Sequence, residues 1–129
     1  YWRHWLEIGA KLAKLPKVFH VNWFRRDASG KFLWPGFGDN LRVIEWMLKR
    51  HTGKAEANET AIGRLPRAAD LNTSGLDVSD ADLRELLTVD PNQWAQEVEA
   101  IRTYFAQFGA RIPPGLSQEL DGVAQRLKR

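Results

Sequence analysis

Six aromatic side chains, Phe19, Trp23, Phe24, Phe32, Trp34 and Phe37, crowd into residues 19–40, and the run ends in the glycine-flanked turn Pro35-Gly36-Phe37-Gly38-Asp39-Asn40. This cluster constrains the fold more than any other feature. Adjacent residues of an extended chain point to opposite faces, so Trp23 and Phe24 cannot both enter one core. Gly36 and Gly38 permit sharp or left-handed backbone around Phe37, which aims a single ring out of the loop. The stretch must therefore build a core and display aromatic surface at the same time.

The rest of the composition narrows the class. With 129 residues and 43% hydrophobic content, the chain can bury one modest core. No cysteine is present, so disulfides, thiol nucleophiles and cysteine-bound metals are excluded, and a reducing cytoplasmic setting is expected. No run approaches the roughly 20 apolar residues of a membrane helix, and no membrane partner is expected. The sequence opens inside an amphipathic pattern at Tyr1-Trp2-Arg3-His4-Trp5-Leu6 without an initiator methionine, which leads us to expect a piece of a longer chain. Charge is divided: residues 1–54 carry eleven basic and four acidic side chains, residues 55–129 eight basic and twelve acidic. Ten of the fourteen aromatics lie in the first 46 residues, so an anionic, flat-faced partner is better received there.

Periodicity predicts an α+β chain: an aromatic-rich β-hairpin or short strands with a helix, then a mainly helical C-terminal subdomain. Trp2 to Leu15 reads as an amphipathic helix stopped by Pro16. Lys17 to Phe24 alternates as a strand, Asp27-Ala28-Ser29-Gly30 turns the chain, and Lys31 to Trp34 returns as the second arm. Asp39 or Asn40 caps a helix with Leu41, Ile44, Met47 and Leu48 on one face and Gly53 past its end. Lys54 to Thr73 reads as an irregular surface connection with a possible strand at 61–64. Three punctuated helices follow: Asp80 to Leu87 behind Ser79, one capped by Asp90 with Pro91 at its first position, and Leu116 to Leu127 behind Pro113-Pro114. The expected organisation is 1–54, a segment of helix, hairpin, Phe37-Gly38-Asp39-Asn40 loop and helix; 55–78, an irregular connection; and 79–129, a helical appendage.

Catalytic equipment is thin, and no catalytic or metal-ligating residue is assigned. Thr52-Gly53-Lys54 lacks the glycine spacing and following hydroxyl of a phosphate loop. His4, His20 and His51 are scattered, and the acidic pairs Asp80/Asp82 and Glu97/Glu99 sit two residues apart on helices, pointing to different faces. What remains is a set of rings beside Asn40, whose amide both donates and accepts, at a helix N-terminus with unpaired N–H groups. Stacking rings give affinity for a nucleobase, and edge hydrogen bonds decide between bases. Two readings of the same residues stand at this point: a base pocket, or a compact hairpin core with a glycine-rich turn. A stand-alone nucleic-acid or nucleotide-binding module and a groove for proline-rich peptides are the alternatives from other classes.

Three stretches, Pro16-Lys17-Val18-Phe19-His20-Val21-Asn22-Trp23-Phe24-Arg25, Gly30-Lys31-Phe32-Leu33-Trp34-Pro35-Gly36-Phe37-Gly38-Asp39-Asn40 and Arg42-Val43-Ile44-Glu45-Trp46-Met47, resemble the C-terminal part of the GTP-dependent phosphoenolpyruvate carboxykinases. The likeness is dense to about residue 54 and looser to the chain end. It implies a fragment of a larger α/β nucleotide-binding lobe in which Phe24 and Phe37 sandwich guanine, Phe32 meets its edge, and Asn40 with the backbone of Phe37, Gly38 and Asp39 reads its polar edge. It implies a parent enzyme converting oxaloacetate and GTP to phosphoenolpyruvate, carbon dioxide and GDP, with Mn2+ and Mg2+ bound outside this segment. The partners implied are guanine nucleotide and the remainder of the parent chain, with nucleic acid not expected. The segment by itself is expected to be inactive.

Overall fold

A computed structural model describes all of residues 1–129. Its elements are α1 (Trp2–Lys11), α2 (Asn40–His51), the antiparallel strands β1 (Asn58–Thr60) and β2 (Gly63–Leu65), α3 (Asp80–Leu87), α4 (Pro91–Ala106) and α5 (Pro114–Arg126). The chain is helix-rich with one two-stranded sheet, which is the α+β class. No helix is long and apolar enough to cross a membrane. Two compact units emerge, one made of residues 1–16 with 89–129 and the other of residues 17–88.

In the second unit the core is Trp46 from α2 with Ala55, Leu71 and Leu83, flanked by Met47, Ala57, Val78 and Leu87. Phe19 meets the Trp46 ring edge-on at a centroid distance of 6.1 Å. The segment 54–73, expected to be irregular, supplies Ala55 and Leu71 to this core and folds a tight hairpin, pairing Asn58 with Leu65 and Thr60 with Gly63. Gly63, at φ 127°, makes that reversal possible.

The aromatic hairpin differs from expectation. Lys17 to Phe24 and Lys31 to Trp34 form no strands, and a single bridge joins Arg26 to Phe32. The physical cause is local: Asn22 Oδ1 accepts from the Phe24 N–H at 2.9 Å, turning the chain just where a ladder would have to continue. Beyond it the turn is closed as anticipated, Asp27 N–H donating to the Lys31 carbonyl at 2.9 Å and Leu33 N–H to that of Arg25 at 3.0 Å. α1 also stops early, at Lys11 rather than near Pro16, because Leu12 turns extended and both Leu12 and Leu15 stay exposed with no apolar face to join.

The first unit is held by α4 and α5, with Val98 and Leu120 buried. Trp2 of α1 packs edge-on against Phe108 at 5.0 Å and tilted against Phe105 at 6.2 Å. Gly115 lets α5 approach α1, since a Cβ there would lie 3.3 Å from Leu6. Across α4 and α5, Arg102 donates to Asp121 at 2.6 Å, and that carboxylate raises the guanidinium's proton affinity. Asp90 caps α4 by accepting from the N–H groups of Asn92 and Gln93.

α3 opens on a reciprocal cap: the Ser79 hydroxyl oxygen accepts from the Asp82 N–H at 3.1 Å, and Asp82 accepts from the Ser79 N–H at 3.1 Å. The Ser79 hydroxyl, then its N–H, hold the Asp82 carboxyl below its ordinary value. Ser79→Ala should destabilise the chain by about 1 kcal/mol at neutral pH. A carboxyl depressed in the fold stabilises above its unfolded value and stops doing so as pH falls through its folded one, so the gap between wild type and variant should narrow in acid to the part due to the Asp82 N–H bond on the Ser79 oxygen. Urea unfolding at neutral and acid pH checks this; a gap independent of pH counts against the carboxylate's share in the cap.

Gly36 sits at φ 125°, ψ −168°, a region that side chains avoid, whereas Gly38 has no positive φ and both face open space. Gly36→Ala should therefore cost about 1–3 kcal/mol from backbone strain alone. Gly38→Ala should leave the urea midpoint nearly unmoved, and equal losses in the two variants would refute the distinction.

Candidate functional site

The site is assembled on a loop fixed from both sides by polar clamps. Upstream, one Asp27 carboxylate oxygen accepts from Ser29 N–H at 2.8 Å, Ser29 Oγ at 2.7 Å and Lys31 N–H at 3.0 Å. The Ser29 hydroxyl first, then the backbone donors, hold this carboxyl below its ordinary value. The turn stays rigid wherever Asp27 is ionised. Arg25 Nη1 reaches the carbonyls of Leu86 and Thr88, both at 3.1 Å, satisfying orphan acceptors at the end of α3. The aromatic turn is thereby tied to α3.

The Phe32 ring is covered on one face by the Arg26 guanidinium, 3.8 Å from the centroid, while Arg26 Nη1 donates to the Gly30 carbonyl at 2.6 Å. Phe24 meets Phe32 edge-on at 6.3 Å. Both rings remain exposed to solvent. The chain then dives inward at Leu33 and Trp34, both buried, and re-emerges through Pro35 and Gly36.

Phe37 to Asp39 forms one 3-10 turn that runs directly into α2, with Asp39 N–H donating to the Gly36 carbonyl at 3.2 Å. Phe37 is 92% exposed and has no ring neighbour, so its position is dictated by backbone rather than by packing. Asp39 is the residue before α2 but does not cap it with its side chain. Its carboxylate instead pairs with Arg42 at 3.3 Å, and Arg42 Nη1 donates to the Asn72 carbonyl at 2.9 Å. Asn40, half-buried at the first position of α2, accepts through Oδ1 from the Trp34 indole N–H at 3.0 Å.

Of the six residues singled out by sequence, the structure joins Phe24 to Phe32 by ring contact and joins Phe37, Gly38, Asp39 and Asn40 in one continuous turn. It makes no ring contact between Phe37 and the other two. Sequence reasoning assigned no site role to Arg26 or Trp34. A signal for Trp34 existed, since a buried indole N–H must find an acceptor and Asn40 is the polar side chain at the end of the same loop. Thr52-Gly53-Lys54 ends a helix: the Thr52 hydroxyl donates to the carbonyls of Leu48 and Lys49, and Gly53 takes φ 75°. No group of three or more His, Asp or Glu gathers that could hold a metal ion, so the residues present do not fit one.

Residues 1–126 match the family described as phosphoenolpyruvate carboxykinase C-terminal P-loop domain. The GTP-dependent phosphoenolpyruvate carboxykinase of Chlamydia trachomatis is 50% identical over 129 residues, covering 99% of this chain and 22% of its own length. That of Neocallimastix frontalis is 51% identical over 131 residues, covering 99% and 21%. The cytosolic enzyme of Gallus gallus is 47% identical over 131 residues, covering 100% and 21%. The chain thus spans about a fifth of the length of these relatives, and it belongs to the GTP-dependent phosphoenolpyruvate carboxykinase family, within that family's C-terminal domain.

Proposed function

We propose that the loop carrying Phe24, Phe32, Phe37, Gly38, Asp39 and Asn40 is the guanine-reading part of a carboxykinase that converts oxaloacetate and GTP to phosphoenolpyruvate, carbon dioxide and GDP. The carrying observation is Phe37, a large apolar ring held 92% exposed beside Gly36, whose backbone angles only glycine adopts without strain. Folding gains nothing from leaving such a ring in water, since burying a Phe side chain is worth roughly 1.5–3 kcal/mol. A flat partner stacked on it recovers that contact, and the half-buried Asn40 a few residues on supplies directional hydrogen bonding. Asp39, paired with Arg42, contributes through its backbone.

On this reading the chain binds the base, while decarboxylation and phosphoryl transfer are carried by the parts of the relatives that lie outside the matched fifth. Those parts are also the proposed occupant of the apolar stripe on α2, where Leu41, Ile44 and Leu48 are 71%, 41% and 63% exposed. In the assembled parent this piece would belong to a larger α/β nucleotide-binding lobe.

The basic residues of the first half do not favour the nucleic-acid alternative. Lys17 donates to the carbonyls of Arg50 and His51, Arg25 to those of Leu86 and Thr88, and Arg50 to that of Ala55, so three of the eleven basic side chains in residues 1–54 are engaged in closing helix and loop ends.

Calorimetric titration with GDP, ADP and a short single-stranded oligonucleotide tests the assignment. GDP is expected to be preferred, and its binding to vary little with salt compared with phosphate-backbone binding. Phe37→Ala should weaken GDP by about 1–3 kcal/mol. Unchanged GDP affinity in a folded Phe37→Ala chain, or preferential binding of the oligonucleotide, would refute it.

A further inference from the structure

A carboxamide at a base-reading position is ambivalent. Rotated one way Asn40 offers an oxygen acceptor, rotated the other way it offers two N–H donors, and in water the two orientations differ little. Left to itself it would accept guanine O6 or the adenine amino group about equally well. Something in the fold has to choose.

We propose that Trp34 is a specificity-determining positioning residue that locks Asn40 as a donor and thereby selects a base with an acceptor at its 6-position. The inference rests on the base-reading role proposed above. An indole N–H can only donate, so the Asn40 atom 3.0 Å from Trp34 Nε1 is the carbonyl oxygen, and the amide nitrogen must face the other way. Trp34 is only 6% exposed and its neighbour Leu33 2%, so the indole is fixed and water has little access to replace its acceptor. Flipping Asn40 would set N–H against N–H and orphan a buried donor.

With its oxygen turned to the indole, Asn40 presents its N–H donors to a ligand on the other side. Guanine presents O6 as an acceptor, whereas adenine presents an N6 amino donor at the same place. The Trp34–Asn40 bond also spans the base of the loop from Pro35 to Asp39, so the selecting group is positioned by the two residues that bracket the exposed Phe37 ring. Phe37 would supply stacking common to both bases, and the locked amide the difference between them.

The test compares GDP, IDP and ADP on the wild-type chain and on Trp34→Phe, which keeps an aromatic ring but removes the N–H. Wild type should favour GDP and IDP, which share O6, over ADP. Trp34→Phe should reduce the GDP to ADP affinity ratio by at least about fivefold, the size expected for one directional hydrogen bond, chiefly through a gain in ADP affinity as the freed amide turns its oxygen to the adenine amino group. Equal weakening of both nucleotides, or an unchanged ratio, would overturn the role assigned to Trp34 and leave the base-reading assignment standing. A wild-type chain with no preference for GDP would instead overturn that assignment and this inference with it.

If Trp34→Phe does not fold, nuclear magnetic resonance on the wild-type chain decides. The Trp34 indole proton should exchange slowly with solvent, and the Asn40 side-chain amide signals should shift with GDP but not with ADP. Rapid indole exchange, or amide signals indifferent to GDP, would overturn the proposal. Asn40→Asp, which retains an acceptor for Trp34 but has no donor for the base, should lose the preference for GDP while the indole stays protected. A retained preference there would overturn it as well.

Discussion

Burial of the Trp46 indole organises everything the site depends on. It gathers Ala55, Leu71 and Leu83 from three separate stretches of sequence and in doing so fixes α2, whose first turn carries Asn40. Removing a buried Trp from such a cluster typically costs about 3–5 kcal/mol, a large share of what a small domain has. Its Nε1 is buried without an acceptor, so this stability comes from apolar contact in spite of a polar penalty. The edge-on Phe19 contact ties segment 17–22, which pairs with no strand, to this core.

The site itself is held by different means. Its rings are exposed, and the loop that presents them is fixed by Asp27 on three local donors, by Arg25 on the end of α3, by Arg42 on Asn72 and by Trp34 on Asn40. Each of these links satisfies groups that the fold would otherwise orphan, so the loop is ordered without covering its aromatic faces. An apolar core in the same place would have given order at the expense of the exposed aromatic surface.

Sequence periodicity was a good guide wherever local rules decide. α3 and α4 start where Ser79 and Asp90-Pro91 put them, because capping and proline geometry act within a single turn, whereas α2 starts behind Asp39 without a side-chain cap and α5 starts at Pro114, two residues before the expected Leu116. It failed where a local side chain competed with a longer-range pattern. Phe19, Val21 and Trp23 alternate as a strand would, yet the Asn22 side chain captures the Phe24 N–H. It failed again at Ala55 and Leu71, small or isolated apolar residues whose burial is set by Trp46, a partner no window of sequence contains. The candidate site was legible as a list of residues from alternation, glycines and family likeness; the clamps of Arg25 and Arg42, which reach 61 and 30 residues along the chain, were not.

The two glycines around Phe37 show how pattern and physics part company. Both were read as licences for unusual backbone, but only Gly36, at φ 125°, uses the freedom, while Gly38 lies in an ordinary 3-10 turn. Gly38 has no Cβ and open space around it, so its absent side chain leaves the main chain accessible beside the exposed ring. One glycine therefore sets where Phe37 stands, and the other leaves the backbone beside that ring open. That division follows from backbone angles alone and assigns the loop's geometry to Gly36 and its openness to Gly38.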